Sequence, residues 1–135
     1  MGQYHKLINL DKQEVVDPYG LGLGAKQYEQ TGCEASLADA IYLLVMTSPA
    51  GGGGDWPLTD VSGRWAGDRV IVLGDYTSKE ALPESEGADK LYSESSTWYD
   101  ITPKVREAFS KVFEVRYNEK DYGSFKSWER DILVH

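Results

Sequence analysis

Apolar and polar positions alternate with a readable period over most of this chain. Val70, Ile71, Val72 and Leu73 form the one run of four β-branched or aliphatic residues bracketed by turn signals, Gly67-Asp68 before it and Gly74-Asp75 after it. An uninterrupted apolar run of this length predicts a strand buried on both faces, with polar groups emerging at its ends. The rest of the chain then reads as material that covers it.

Residues 4–10 alternate, with Tyr4, Lys6, Ile8 and Leu10 on one side and His5, Leu7 and Asn9 on the other. Asp11-Lys12 offers a turn and Glu14-Val15-Val16 a return strand, so the start predicts a β-hairpin that Asp17-Pro18 ends. Over residues 36–47, Leu37, Ala40, Ile41, Leu44 and Val45 fall on one helical stripe, with Ser36 as N-cap and Ser48-Pro49 as the stop. A second helix over 102–113 follows from Thr102 as cap, Pro103 at the first helical position, and a stripe of Val105, Ala108, Phe109, Val112 and Phe113. Between and after these, 91–92 and 97–99 read as short extended or one-turn pieces. Residues 114–117 read as a strand, Tyr122-Gly123 as a turn, and Phe125, Trp128, Ile132 and Leu133 as a last amphipathic helix by spacing.

These elements give an α+β fold: a small, mostly antiparallel sheet made of the N-terminal hairpin, the 69–73 strand and the 114–117 segment, covered by two main helices. At 135 residues the chain fits one domain, 1–135, with mobile loops expected near 48–63 and 77–90. No apolar stretch approaches the ~20 residues that span a bilayer; the longest, 40–46, is far shorter. The opening residues lack a signal-peptide pattern, and Lys6 stands where a myristoylation motif wants Ser or Thr.

Charge narrows the partners. Fourteen basic against 22 acidic residues leave a net charge of −8, which disfavours binding to nucleic acid, since neutralising phosphates needs clustered Lys and Arg. It admits an acidic surface that meets a partner's basic face, although such a charge also serves plain solubility. The single cysteine, Cys33, excludes an internal disulfide and agrees with a cytoplasmic location.

Catalytic motifs are not legible. His5 and His135 lie at opposite ends of the chain, and Cys33 has no evident base beside it. Gly20, Gly22 and Ala25 satisfy the glycine pattern of dinucleotide-binding turns, with Asp39 about twenty residues on. That reading needs a strand directly before the glycines. Asp17-Pro18-Tyr19 interrupts the approach, so a flexible connection is expected there instead. The glycines at 51–54 lack the Gly-Lys-Ser/Thr of a phosphate loop, and residues 55–60 lack the alternating acids of a calcium loop. No cofactor and no metal are expected.

The remaining candidates sit at the ends of the 69–73 strand. Trp65, Asp68 and Arg69 lie at one end, Asp75 and Tyr76 at the other, and ligands of open sheets favour strand C-termini. The plainer alternative is that Asp68 and Asp75 cap turns. Trp56, beside the glycines, is either a contact residue or a lid over the core.

Three blocks resemble a family of small uncharacterised proteins of phages and assorted microbes. Gln3-Tyr4 with Asn9-Leu10-Asp11-Lys12 and Glu14 forms the first. Gly63-x-Trp65-x-Gly67-Asp68-Arg69-Val70 with Gly74-Asp75-Tyr76 forms the second, and Asp100-Ile101-Thr102 the third. Together they cover roughly a quarter of the chain. Val72-Leu73 departs from the family pattern, which has Trp-Ala there. The resemblance implies a shared fold and brings no activity with it.

On these grounds the leading expectation is a non-enzymatic accessory or binding protein, phage-encoded by the resemblance, that meets a protein partner through an acidic, aromatic-bearing surface. The alternative is a small-molecule or nucleotide binder or hydrolase built on Trp65, Arg69, Asp75 and Tyr76. A third reading, acidic mimicry of DNA, requires the acids of 80–89 to align with Glu14 and Asp17 on one face.

Overall fold

The computed structural model describes residues 4–48, 53–74, 88–122 and 125–133. The N-terminal hairpin forms as expected, with β1 (His5–Asn9) and β2 (Glu14–Val16) antiparallel and Ile8 opposite Val15. Its turn is set by Asn9, whose Oδ1 accepts the backbone N–H groups of Asp11 and Lys12 at 2.9 and 2.8 Å. A side chain that mimics a turn carbonyl favours such a bend at little entropic cost.

The 70–73 run forms β3 (Val70–Gly74), antiparallel to β1. It does not hold the central place that its composition predicts. The sheet order is β3-β1-β2-β4, where β4 (Tyr99–Asp100) runs parallel to β2. β3 is therefore an edge strand, and Val72 is 49% exposed. The places buried on both faces belong to β1 and β2, each of which has strand partners on both sides and cover above and below. Leu7 and Ile8, which point to opposite faces, are both fully buried.

The two faces are covered unequally. Leu7 and Val16 join the main core beneath α2 (Leu37–Val45) and α4 (Thr102–Val112), with Trp65, Phe109 and Ile101 at its centre. Ile8, Val15 and Leu73 form a smaller cluster against Leu91, Tyr92 and Trp98. Leu91 and Tyr92, expected in a short extended or one-turn piece, belong to a helix of seven residues, α3 (Ala88–Glu94).

Helix α2 starts as predicted. Ser36 caps it, and Asp39 reciprocates by accepting the Ser36 N–H at 3.2 Å. Its buried stripe is Leu37, Ala40, Leu43 and Leu44, rotated from the one expected, with Ile41 and Val45 at its margins. The rotation follows from residues 59–66, which pack along one flank: Gly63 N–H donates to Leu43 C=O and Trp65 N–H to Leu44 C=O, at 2.9 and 2.7 Å. Gly63 has φ +74, and a Cβ there would lie 2.8 Å from the Met46 carbonyl oxygen, so the approach requires glycine.

Two further expectations are corrected. The 20–24 segment is an ordered connection: a 3-10 turn, Pro18–Leu21, is capped by the Asp17 carboxylate on Tyr19 N–H, and Leu21 and Leu23 insert into the core. The 125–133 segment is a strand, β6 (Phe125–Ile132), paired with β5 (Val115–Tyr122) in a separate two-stranded sheet. The 114–117 strand thus extends that hairpin and does not join the main sheet. Helical spacing at four residues lost to cross-strand pairing, which brings Arg116 to Asp131, Lys120 to Glu129 and Lys126 to Glu119 at 3.0–3.6 Å.

Candidate functional site

A groove of about 560 Å³ runs along the outer side of α2. Asp39, Tyr42, Val45 and Met46 form its helical wall, and Gly54, Asp55 and Trp56 the opposite one. Its floor is anchored by a chain of edge-to-face aromatic rings that climbs from the core to the surface. Phe109, fully buried, meets Phe113 at 5.4 Å; Phe113 meets Trp56 at 5.1 Å; Trp56 meets Tyr42 at 5.2 Å. Each such contact contributes about 0.5–1.5 kcal/mol beyond the area it buries. Trp56 is therefore held in place, half-buried, while Tyr42 stays 63% exposed at the rim. Two carboxylates face this groove, and no Lys or Arg stands among its described lining residues.

Of the residues singled out from sequence, Trp56 alone lies here, and it both covers the core and walls the groove. Asp75 and Tyr76 lie outside the described residues. Trp65 is fully buried in the main core, and its indole N–H donates to Glu14 Oε1 at 2.6 Å. Arg69 stands on the surface, bound to Asp11 through its side chain and its backbone N–H. The structure does not bring Trp65 and Arg69 together around a cavity.

It does bring the family-like blocks together. Asn9 Nδ2 donates to Asp68 Oδ2 at 2.9 Å, and Lys12 pairs with the same oxygen. Asp11 holds Arg69, and Glu14 takes Arg64 in a two-pronged pair at 2.5–3.2 Å as well as Trp65. Asp100 accepts the Thr102 N–H and hydroxyl, and that hydroxyl oxygen accepts the Asp17 N–H. The first two blocks thus interlock as one polar corner beside the β1–β2 turn, and the third ties β4 to the end of β2.

Titration behaviour follows from these contacts. Burial alone would raise the Glu14 carboxyl, but the hydrogen bonds from Arg64 and Trp65 outweigh it and hold it below the usual range. Arg69 N–H and Lys12 lower Asp11 and Asp68 in turn. With Glu14 buried in an ion pair, it is not presented on a DNA-like acidic face, and the acids at 80–87 lie outside the described residues.

Tyr42 is the groove residue that sequence reasoning passed over; Asp39 and Asp55 entered it only with a dinucleotide turn and a calcium loop, neither of which the sequence supports. Tyr42 carried a signal: it is an aromatic residue off the apolar stripe of its helix, where a polar side chain is the norm. Among the described residues no group of three or more His, Cys, Asp or Glu is placed to hold a metal ion. No helix there is long and apolar enough to cross a membrane. No family model, curated protein or solved structure matches the chain.

Proposed function

We propose that the protein is a small non-enzymatic binding module that takes a segment of a protein partner in the α2 groove. The occupant is an apolar side chain flanked by Lys or Arg. The observation that carries this reading is the groove's lining: two aromatic rings, Tyr42 and Trp56, beside two carboxylates, Asp39 and Asp55. An aromatic platform fixed from below supplies apolar contact with little ordering cost, and acids around it select basic flanks and speed their encounter. The net charge of −8 extends the same field over the whole molecule. The resemblance to small phage and microbial proteins adds a phage setting, and the single cysteine a cytoplasmic one.

The test is an array of synthetic peptides with a central Leu, Phe or Trp flanked by Lys/Arg, by Ser or by Glu. Basic-flanked peptides should bind best, lose affinity as salt rises, and lose it again in Tyr42→Ala. Equal binding to Glu-flanked peptides, or full binding by Tyr42→Ala, would remove the proposal.

A further inference from the structure

On the other side of the molecule, a recess of about 330 Å³ opens between the 3-10 turn, the start of α4 and β6. Arg106 is its unusual feature. The guanidinium lies 3.8 Å over the Trp128 ring and donates one hydrogen bond, to the Gly20 carbonyl at 2.9 Å. No carboxylate among the described residues forms an ion pair with it, and burial pushes its pKa down. Arg106 is half-buried with Asp100 acting on it only at a distance, so its guanidinium keeps donors open to an anion.

Two carboxylates line the same recess with unused capacity. Asp17 Oδ1 accepts the Tyr19 N–H, and Asp100 Oδ1 accepts both Thr102 donors. The second oxygen of each has no hydrogen-bond partner among the described residues. Burial, opposed in part by the Tyr19 N–H and reinforced by Asp100, pushes the Asp17 carboxyl above its ordinary range, as expected of an acid short of a cation. Lys126 at the rim is already paired with Glu119 at 3.3 Å. Residue 20 packs too closely on Thr102 for a side chain: a Cβ there would lie 2.6 Å from Thr102 Cγ2 and 3.4 Å from Arg106 Nη1.

We propose that this recess binds a free amino acid, its carboxylate on Arg106 and its ammonium on Asp17 and Asp100. The volume is at the small end of ligand sites, which run to roughly 300–1,000 Å³. Charged groups of both signs that line one recess without a direct ion pair between them match a ligand that carries both. Tyr19, Ser127 and Trp128 also line a second, open recess of about 610 Å³. This site is separate from the α2 groove and does not depend on it.

The experiment is calorimetric titration of the intact protein with the twenty free amino acids, followed by the best binder's N-acetyl and carboxamide derivatives. The expected result is saturable binding of the parent compound and about a tenfold or greater loss for each derivative, since each removes one of the ligand's two charged pairings with the recess. Arg106→Gln should remove binding of the parent and Asp100→Asn should weaken it. Asp100→Asn keeps an acceptor for Thr102, and circular dichroism checks that both variants fold. No binding at millimolar concentration, or derivatives that bind as well as the parent, would overturn the proposal. The derivative series is read on the unaltered protein, so an unfolded variant does not blunt it.

Discussion

The polar corner at the β1–β2 turn and the groove beside α2 use similar residues to opposite ends. Both combine a tryptophan with carboxylates. In the corner, Glu14, Asp11 and Asp68 each meet a cation, and Trp65 is sealed in the core with its N–H satisfied. In the groove, Trp56 is half-buried, Tyr42 projects beside it, and no cation stands among the described lining residues. Saturated ion pairs hold a fold together, whereas a fixed aromatic surface left at the rim offers something to a partner. The difference separates a structural signature from a candidate site better than residue type does.

The largest expected effect lies in the corner. Glu14→Ala strips the acceptor from a buried indole N–H and leaves Arg64 without its partner, which costs on the order of 3 kcal/mol. Urea denaturation should show a clear drop in midpoint at unchanged slope, and a loss below about 1 kcal/mol would break the distinction drawn above. Next comes acidity. The Glu14 carboxyl is lowered in the fold, so its stabilisation is complete above its ordinary value of 4.5 and fades as pH falls through the folded value. Asp17, raised in the fold, works the other way and favours the folded state at low pH. Melting curves between pH 7 and about pH 3 should therefore fall off at the acid end, with a shallower fall in Glu14→Gln.

The groove should behave inversely. Trp56→Ala is expected to lose about 1–2 kcal/mol of stability, less than a fully buried tryptophan would, together with peptide binding. Tyr42→Ala should keep stability within about 0.5 kcal/mol while weakening the basic-flanked peptides about tenfold. Should that variant unfold instead, Tyr42 belongs with the corner residues as a structural group. The smallest effect is reserved for Arg69→Ala. That arginine is 74% exposed at its side chain, and its removal should leave the melting temperature at the wild-type value, because exposed ion pairs contribute little.

The hairpin strands, both main helices and the existence of β3 were legible in the sequence, for each carries its own local signal. Ser36 with Asp39 caps one helix, Pro103 stands in the first turn of another (whose N-cap is Ile101, Thr102 being its first helical residue rather than the expected cap), and Gly67 and Gly74 bracket the apolar run. Order among strands has no such signal. β3 has the most apolar composition and takes the edge, whereas β1, with His5, Lys6 and Asn9 in it, takes one of the two interior places. Trp65 was read as a site residue because tryptophan near Asp and Arg suits either role. Glu14, fifty-one residues earlier, decides the matter by accepting its N–H.

By itself, then, the chain determined which segments are helical or extended wherever capping and periodicity agree, and that the surface is acidic. Tertiary structure decided that 125–132 is a strand, because pairing with 115–122 outweighs a four-residue helical spacing. It also decided which face of α2 is buried, through hydrogen bonds from residues twenty positions away. Above all it decided what each charged residue does. A carboxylate's role depends on whether a cation, a backbone N–H or an empty recess lies within about 3 Å, and only the folded chain sets those distances.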